Sequence, residues 1–579
     1  MSGSPGAAAP AGGPLATDPE NGARRTALLW LAGAFCLSLP LTVQTMAGGE
    51  AWWDIALGRF IRNHGIPAGD PFSFLAGRQA WVAPQWLFQV ALAGIVRAGG
   101  TGLASLAMGL AAGLALVVAA LAIPRASRTA GFWRAAAVLI GAAAAVPLLG
   151  VNGNSLTLLG VAATLLIVRR WREGGPRAVW LLPPLFLLWA NCDPGFIAGL
   201  AILAFTLVIH RPSAQRSRTS PAPGRFPITR ALLTRVPGSQ AAIQITVIGT
   251  VAAMATVVLG LVAGAVALVL MWALLRPVAL GSSTARRPLL VASLVAAAAT
   301  LLNPAGPRLY ADIASTLGNP LISQLSIALQ TPNFHNTLPR LIEVIAGLLV
   351  LAWTLGRPPR TEDCLLATAL FLTALQASGA VGIFTLVAIP QLAEYGASAW
   401  AERAPAALRR LRVSLRPALA VGLTLLIALA SAAVIVPRMS TAAAARSERS
   451  VEPSAAASFV ATHFPGRRIL SSIADADYLA YRFPSERIVF IDEAMAQFGT
   501  GPLRDYQDIT HLTGKWHALL TGLDIDHAVL STDDADTEAL LEAGWTVNCY
   551  DAANGTVVMS AGSHPPAPSP PLPTRAAAC

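Results

Sequence analysis

Long apolar runs separated by short, arginine-bearing gaps occupy the first three-quarters of the chain. Stretches suited to crossing a bilayer as helices fall at about 27–46, 101–123, 133–150, 155–169, 178–190, 194–210, 243–258, 260–275, 288–303, 340–356, 364–377, 379–400 and 417–436. From about residue 453 to 560 the pattern changes. Short β-branched runs at 467–473, 487–491, 527–531, 545–550 and 555–560 alternate with helix-like runs, the pattern of a small α/β domain. The expected architecture is a polytopic α-helical membrane protein of about thirteen spans carrying a small α/β domain outside the cytoplasm.

The expected divisions are a disordered cytoplasmic tail at 1–26, a membrane domain at 27–436, a linker at 437–452, the α/β domain at 453–560 and a Pro-rich disordered tail at 561–579. Residues 27–46 follow Arg24 and Arg25 and read as an uncleaved signal anchor. Two outer loops, 47–100 and 303–339, are the long gaps between spans. Within the first, residues 85–98 are too short for a comfortable span and read as a helix lying along the outer interface.

Composition sharpens this. With 54% hydrophobic and 12% charged residues and a mean hydropathy of +0.58, the chain carries more apolar surface than a soluble protein hides. The net charge of +11 is unevenly placed: residues 1–436 hold 31 basic and 13 acidic side chains, residues 437–579 hold 10 and 17. The arginines cluster between apolar segments, where the positive-inside rule places them in the cytoplasm. That accounts for the basic excess and leaves no case for nucleic-acid binding. An odd number of spans starting inside puts the N-terminus in the cytoplasm and the C-terminal domain outside. Five cysteines have no metal spacing; Cys549 and Cys579 share a compartment, but free thiols are the simpler reading.

Chemistry concentrates in residues 48–88, GGEAWWDIALGRFIRNHGIPAGDPFSFLAGRQAWVAPQWLF, where acids, tryptophans and arginines converge beside the bilayer. Glu50 and Asp54 are four residues apart, so a helix over 50–62 sets both on one face. Such a pair could divide acid and base roles, hold a divalent cation, or only cap the helix and pair with Arg59 or Arg62. Arg59, Arg62, His64 and Arg78 are candidate phosphate contacts, with anionic headgroups as the competing partner. Trp52, Trp53, Trp81 and Trp86 could stack on a sugar, although interfacial anchoring explains them more simply. Asp70, before Pro71, suits a turn cap or a site role. Asn191, Cys192 and Asp193 form an outer turn between two spans, which makes Asp193 a second candidate acid near the first loop. Asn303, Arg308, Tyr310, Asn333 and His335 lie in the second outer loop, a candidate lid. In the C-terminal domain, Asp475, Asp477, Asp492 and Glu493 follow strand-like segments, where loop acids could bind a metal or sugar hydroxyls, although helix capping is the economical explanation.

The motifs in this order resemble bacterial relatives of the GT-C-type integral-membrane glycosyltransferases. The likeness rests on the first outer loop, with its acid before Trp52-Trp53, the Gly58-Arg59 turn, Gly65-Ile66-Pro67 leading to Asp70-Pro71-Phe72-Ser73, and Trp81-Val82 followed by Gln85-Trp86-Leu87. It extends to Leu188-Trp189-Ala190-Asn191, Leu301-Leu302-Asn303-Pro304, and Asp477-Tyr478-Leu479 with Arg487 to Asp492. The resemblance implies an enzyme of the cytoplasmic (inner) membrane. It would transfer a hexose or pentose from a polyprenyl-phosphate sugar donor to a glycan, lipid or protein acceptor on the outer face. It also implies Glu50, Asp54 and Asp193 as catalytic residues. Trp52, Trp53, Arg59, Arg62, His64, Asp70, Arg78, Gln85, Asn191, Asn303 and Arg308 would then be substrate contacts. Where the family pattern has Asp and then His, this chain has Glu50 and Asp54, and Cys192-Asp193 replace the second signature's His. Two other readings follow from those departures: a catalytically silent relative that binds lipid-linked glycan or scaffolds an envelope complex, or a transporter or flippase.

Overall fold

The computed structural model describes residues 19–75, 81–123, 130–145, 149–209, 286–336, 339–403, 417–562 and 577–579. The spans expected at 243–258 and 260–275, and Arg78, lie outside the described residues. Every other expected span falls on a helix. Among them are α1 (Pro19–Thr42), α3 (Trp86–Leu121), α4 (Ala130–Ala145), α5 (Asn154–Arg172), α6 (Leu182–Ala190) and α7 (Phe196–Ile209); α2 (Gly49–His64) belongs to the first outer loop. Later ones cover Arg286–Ala299, Arg340–Leu355, Thr361–Gln376, Val381–Arg403 and Pro417–Arg438. Three helical stretches, Trp86–Leu121, Ser378–Arg403 and Leu419–Arg438, are long and apolar enough to cross a membrane by themselves, and shorter apolar helices pack among them. The chain is an α-helical membrane protein with a small sheet.

The expected break between an interfacial helix and the next span is a kink inside α3. Gly99 and Gly100 leave helical geometry there, Gly100 with φ of 71°. Glycine adopts that backbone without the β-carbon clash other residues meet. Residues 86–98 and 101–121 are therefore two helices meeting at this break.

At the far ends of the helices, Arg172 pairs with Glu362 at 2.8 Å and Asp363 at 3.7 Å, and Arg169 with Glu173 at 2.9 Å and Glu394 at 3.6 Å. Arg357 joins Glu394. These pairs tie α5, Thr361–Gln376 and Val381–Arg403 together at one end of the bundle.

The C-terminal sheet has strands β1 (Ile469–Ser471), β2 (His527–Ser531), β3 (Thr546–Asp551), β4 (Thr556–Ser560) and β5 (Ala577–Ala578), in spatial order β1-β2-β4-β3-β5. β1 runs parallel to β2, β4 is antiparallel to both its neighbours, and β5 is parallel to β3. The run expected as a strand at 487–491 forms only single bridges, Val489 to Ile469 and to Ser73. The second bridge lays the first outer loop along the sheet edge, where the Phe74 N–H donates to the Val489 carbonyl at 3.1 Å and the Ser73 hydroxyl to the Phe490 carbonyl at 2.7 Å.

Two sequence expectations fail at the tail. Cys549 and Cys579 are joined as a disulfide, not free, and Ala577–Ala578 pair with β3 instead of trailing loose. Two thiols on neighbouring strands of one sheet are close enough to bridge. Cys36, Cys192 and Cys364 remain thiols.

The C-terminal unit shares one apolar core with the first outer loop. Trp52, Trp53, Ile55 and Phe72 pack in one cluster with Ala456, Val460, Tyr478, Val489 and Val529. Burial of this kind is the main attraction available between two such bodies.

Candidate functional site

α2 begins where Gly48, at φ of 93°, turns the chain into the helix and donates its N–H to the Glu452 carboxylate at 3.0 Å. The helix is buried on most sides: a β-carbon at Gly49 would come within 2.1 Å of the Ala474 carbonyl oxygen, and one at Gly58 within 2.0 Å of the Gln89 carbonyl oxygen. Both glycines thus mark places where another backbone lies directly on α2, the helix Ile473–Arg482 at the first and α3 at the second.

This burial overturns the reading of Trp52 and Trp53 as interfacial anchors. They are 3% and 6% exposed. Trp52 packs on Tyr478 and Tyr481, with ring centres 5.4 and 4.6 Å away, and Trp53 on Phe72 and Trp81, each at 6.5 Å. Amphipathicity suggested lipid contact, but the face that looked free is covered by the C-terminal unit.

Glu50 and Asp54 do share a face, and Asp193 meets them. Asp193 is held at the turn between α6 and α7: its Oδ1 accepts from the Gly195 N–H at 2.7 Å and from the Thr157 hydroxyl, which in turn accepts from the Trp189 indole at 3.0 Å. Gly153 leaves room for the other oxygen, since a β-carbon there would lie 2.3 Å from Asp193 Oδ2 and 2.9 Å from Gln85 Oε1. Asp54 is buried, with Oδ1 accepting from the Gln89 amide at 2.9 Å, and Asn152 donates to Glu50. A fourth acid, Glu493, comes from the C-terminal unit, and the charges of Glu50 and Asp54 act on it. Sequence reasoning assigned Glu493 to helix capping. No local signal distinguishes it, because its partners come from a loop more than four hundred residues away.

Burial raises the proton affinity of all four, and like-charge repulsion adds to it at Glu50, Asp54 and Glu493. Desolvation, then the neighbouring Asp193 charge, pushes Glu50 up to about 7. Asp54 is raised well above the ordinary range by burial and then by Glu50, Glu493 by burial and then by Glu50 and Asp54, and Asp193 chiefly by burial. Among the described residues no arginine, lysine or histidine forms an ion pair with any of them. Around them Asp54 Oδ2, Gln85 Oε1, Gln89 Oε1 and Asn152 Oδ1 are buried without a hydrogen-bond donor in the protein. The site is a concentration of oxygen acceptors, suited to a group that brings hydroxyl or other donors. Hard oxygens are also the donors a divalent cation prefers. Yet among the described residues no three His, Cys, Asp or Glu side chains group so as to hold a metal ion. Burial and the adjacent Asp193 push the Cys192 thiol up to about 11, away from the thiolate form.

A stability signature follows. A carboxyl whose folded value is raised from 4.5 to about 7 keeps its proton in the folded state after the unfolded chain has lost it. Stability is therefore fully present below the lower value and falls as pH rises through the upper one. The thermal midpoint of the purified protein is expected to be lower at about pH 8 than at about pH 5. In Glu50→Gln this difference should shrink, and an equal difference would disconnect Glu50 from it.

The other candidates do not join the acids. Arg59 is exposed, with its guanidinium over the Tyr481 ring at 4.7 Å. Arg62 and His64 are exposed at the end of α2, twelve and fourteen residues beyond Glu50, which at 1.5 Å per residue is roughly 18 and 21 Å away. Arg308 is exposed at the start of the helix Arg308–Gly318. Asp70 caps its turn, Oδ1 accepting from the Phe72 and Ser73 N–H groups at 2.7 and 2.9 Å, while the Asp492 carboxyl adjoins it. The second outer loop, expected as a lid, docks on the C-terminal unit. Asp312 accepts from the Gln497 amide at 2.8 Å, and Ile322 enters the core with Phe490. Asn333 and His335 are exposed.

Asn191 and Asn303 form a clasp between helix ends. Trp86 donates to Asn191 Oδ1 at 2.7 Å; the Asn191 amide donates to the Leu187 and Leu302 carbonyls at 2.8 and 3.2 Å, and the Asn303 amide to Ala190 at 3.0 Å. With these amides already partnered, Asn303→Ala is expected to cost about 1 kcal/mol of stability. Substrate affinity should hardly change. A selective loss of affinity at an unaltered thermal midpoint would return Asn303 to the binding site.

No family model matches the chain, and no curated protein matches it. Among solved structures, the chain is similar to the archaeal oligosaccharyltransferase AglB from Archaeoglobus fulgidus in complex with an inhibitory peptide and a dolichol-phosphate. The match has 13% identity and a TM-score of 0.46 over 93% of this chain and 74% of that one. The same archaeal enzyme tethered with an acceptor peptide matches at 14% identity and a TM-score of 0.47, over 87% of this chain and 68% of that one. ArnT from Cupriavidus metallidurans bound to undecaprenyl phosphate matches at 14% identity and a TM-score of 0.43, over 94% and 99%.

Proposed function

We propose that the chain is a glycosyltransferase of the bacterial inner membrane that moves a sugar from a polyprenyl-phosphate donor to an envelope acceptor on the outer face. Glu50 is the base that takes the acceptor's hydroxyl proton, and Asp54 and Asp193 hold the acceptor. The observation that carries this reading is the convergence of Glu50 and Asp54 with Asp193, beside buried oxygens that have no donor in the protein. A carboxyl poised near neutrality suits general-base work, and acceptor oxygens suit a hydroxyl-bearing ligand. The donor class comes from the motif resemblance of the first outer loop.

The same proposal includes thirteen spans with the N-terminus inside, and the divisions 27–436 for the membrane domain and 453–560 for the outer domain. Its orientation is supported by α5, which starts beside the acids and ends at Arg169, Arg170 and Arg172. Nineteen residues at 1.5 Å each separate the two ends by about 28 Å, close to the thickness of a bilayer's hydrocarbon core. The arginine end then faces the cytoplasm and the acid end the outside.

The test replaces Glu50 with Gln, and separately Asp54 with Asn, in cells that depend on the protein, and reads envelope glycoconjugates and lipid-linked sugar. Loss of the conjugate with accumulation of the donor is the expected result. Carrier binding without any turnover in the unaltered protein would support the silent relative instead, and normal conjugates in both variants would remove the reading altogether.

A further inference from the structure

Gln497 is almost wholly buried in the short helix Met495–Phe498 of the C-terminal unit, and both ends of its amide are in use. Its Oε1 accepts from the Val82 N–H at 3.3 Å, and its Nε2 donates to Asp312 Oδ1 at 2.8 Å. A backbone N–H only donates and a carboxylate only accepts, so these two partners fix which way the amide lies. One side chain thereby joins the C-terminal unit, the end of the first outer loop and the helix Arg308–Gly318 of the second. Core packing falls to its neighbours: Met495 and Phe498 lie in one apolar cluster with Ile322 and Phe490, while Gln497 bonds to the loops.

Val82 opens the segment that leads into α3, and the far end of that segment is pinned as well. Asn191, two residues before Asp193, accepts from the Trp86 indole at 2.7 Å through its Oδ1 and from the Leu87 N–H at 3.1 Å through its carbonyl. Gln85 lies between the two pins. Its Oε1 is one of the buried oxygens with no donor in the protein. It stands with Asp193 Oδ2 against Gly153, the two oxygens 2.9 and 2.3 Å from where a β-carbon on that glycine would lie. We propose that Gln497 is a positioning residue of the acid site: by holding Val82 to Asp312 it sets where Gln85 presents its oxygen beside Asp193. The site then takes its working shape only while both outer loops are gripped by the C-terminal unit. The proposal rests on the reading of the acids as the place where the acceptor binds.

The experiment follows hydrogen–deuterium exchange of the full-length protein in lipid nanodiscs by peptide mass spectrometry, together with the envelope glycoconjugate in cells that depend on the protein. In Gln497→Ala the amides of residues 82–87 should exchange roughly three- to tenfold faster, the worth of about one hydrogen bond, while β1 and β2 keep their rates. The glycoconjugate should fall roughly tenfold as Gln85 loses its place. Gln497→Glu sets a carboxylate against Asp312 and should act in the same direction. Joined to Asp312→Asn, which offers that carboxylate an amide donor, it should bring exchange and glycoconjugate back to the unaltered levels. A damaged core is not repaired by trading donor for acceptor. Unchanged exchange over 82–87 in Gln497→Ala overturns the proposal, as does faster exchange spread evenly through the C-terminal unit, or a double variant as impaired as Gln497→Glu alone. Glycoconjugate that is lost in Glu50→Gln but normal in Gln497→Ala also overturns it and leaves the base assignment standing. Exchange does not depend on turnover, so normal glycoconjugate in Glu50→Gln would remove the base assignment without touching the exchange result.

Discussion

Glu50→Gln is expected to lower sugar transfer roughly a hundredfold to ten-thousandfold, the usual loss when a positioned general base is removed. Gln keeps the size and the hydrogen bond from Asn152 but cannot take a proton. The residual activity should also lose its dependence on pH. In the unaltered protein the rate should climb as Glu50 sheds its proton through about 7 and fade below it. Rate against pH, measured for both proteins with the same donor, checks the two statements together. The substitution removes one member of a set of mutually repelling acids, so the fold should become more stable, not less. A large loss of activity with a raised thermal midpoint is a pairing that a merely damaged protein does not show. Equal pH profiles in the two proteins would remove Glu50 from the proton transfer.

The membrane helices were legible because apolar length is written locally, and so were Glu50 and Asp54 as an i, i+4 pair and Asp193 as an acid too costly to bury for nothing. What covers α2 was not. The hydrophobic pattern of residues 50–62 says that one side is apolar, and it cannot say whether lipid or protein lies against it. The contacts that decide this, Gly49 on Ala474 and Trp52 on Tyr478, join residues far apart in sequence. Glu493 was illegible for the same reason: an acid after an apolar run looks like a cap until its carboxyl is found beside two others. Asn191 and Asn303 show the converse. Their motif positions were visible, but only the structure reveals that their amides are already bonded to helix-end carbonyls. The Cys549–Cys579 bridge needed the pairing of β5 with β3, which a two-residue strand in a polar tail does not announce.

Gly58→Ala should separate structural from chemical demands on α2. The added β-carbon would lie 2.0 Å from the Gln89 carbonyl oxygen and 3.0 Å from the Ala93 β-carbon. Backbone cannot swing away as a side-chain tip can, so α2 and α3 must part, at a cost of about 1–3 kcal/mol. The same residue whose carbonyl is struck, Gln89, donates its amide to Asp54. Parting the helices therefore also draws the donor from Asp54, and transfer should fall further than the loss of stability alone explains. Gly94→Ala is the matched control on α3: nothing lies within 4 Å of its β-carbon, and alanine in a helix is favoured over glycine by up to about 1 kcal/mol. Thermal midpoints and transfer rates of both variants in the same membranes give the comparison. If Gly58→Ala behaved like Gly94→Ala, the close approach of α3 to α2, and with it the route by which Gln89 holds Asp54 in the acid site, would be wrong.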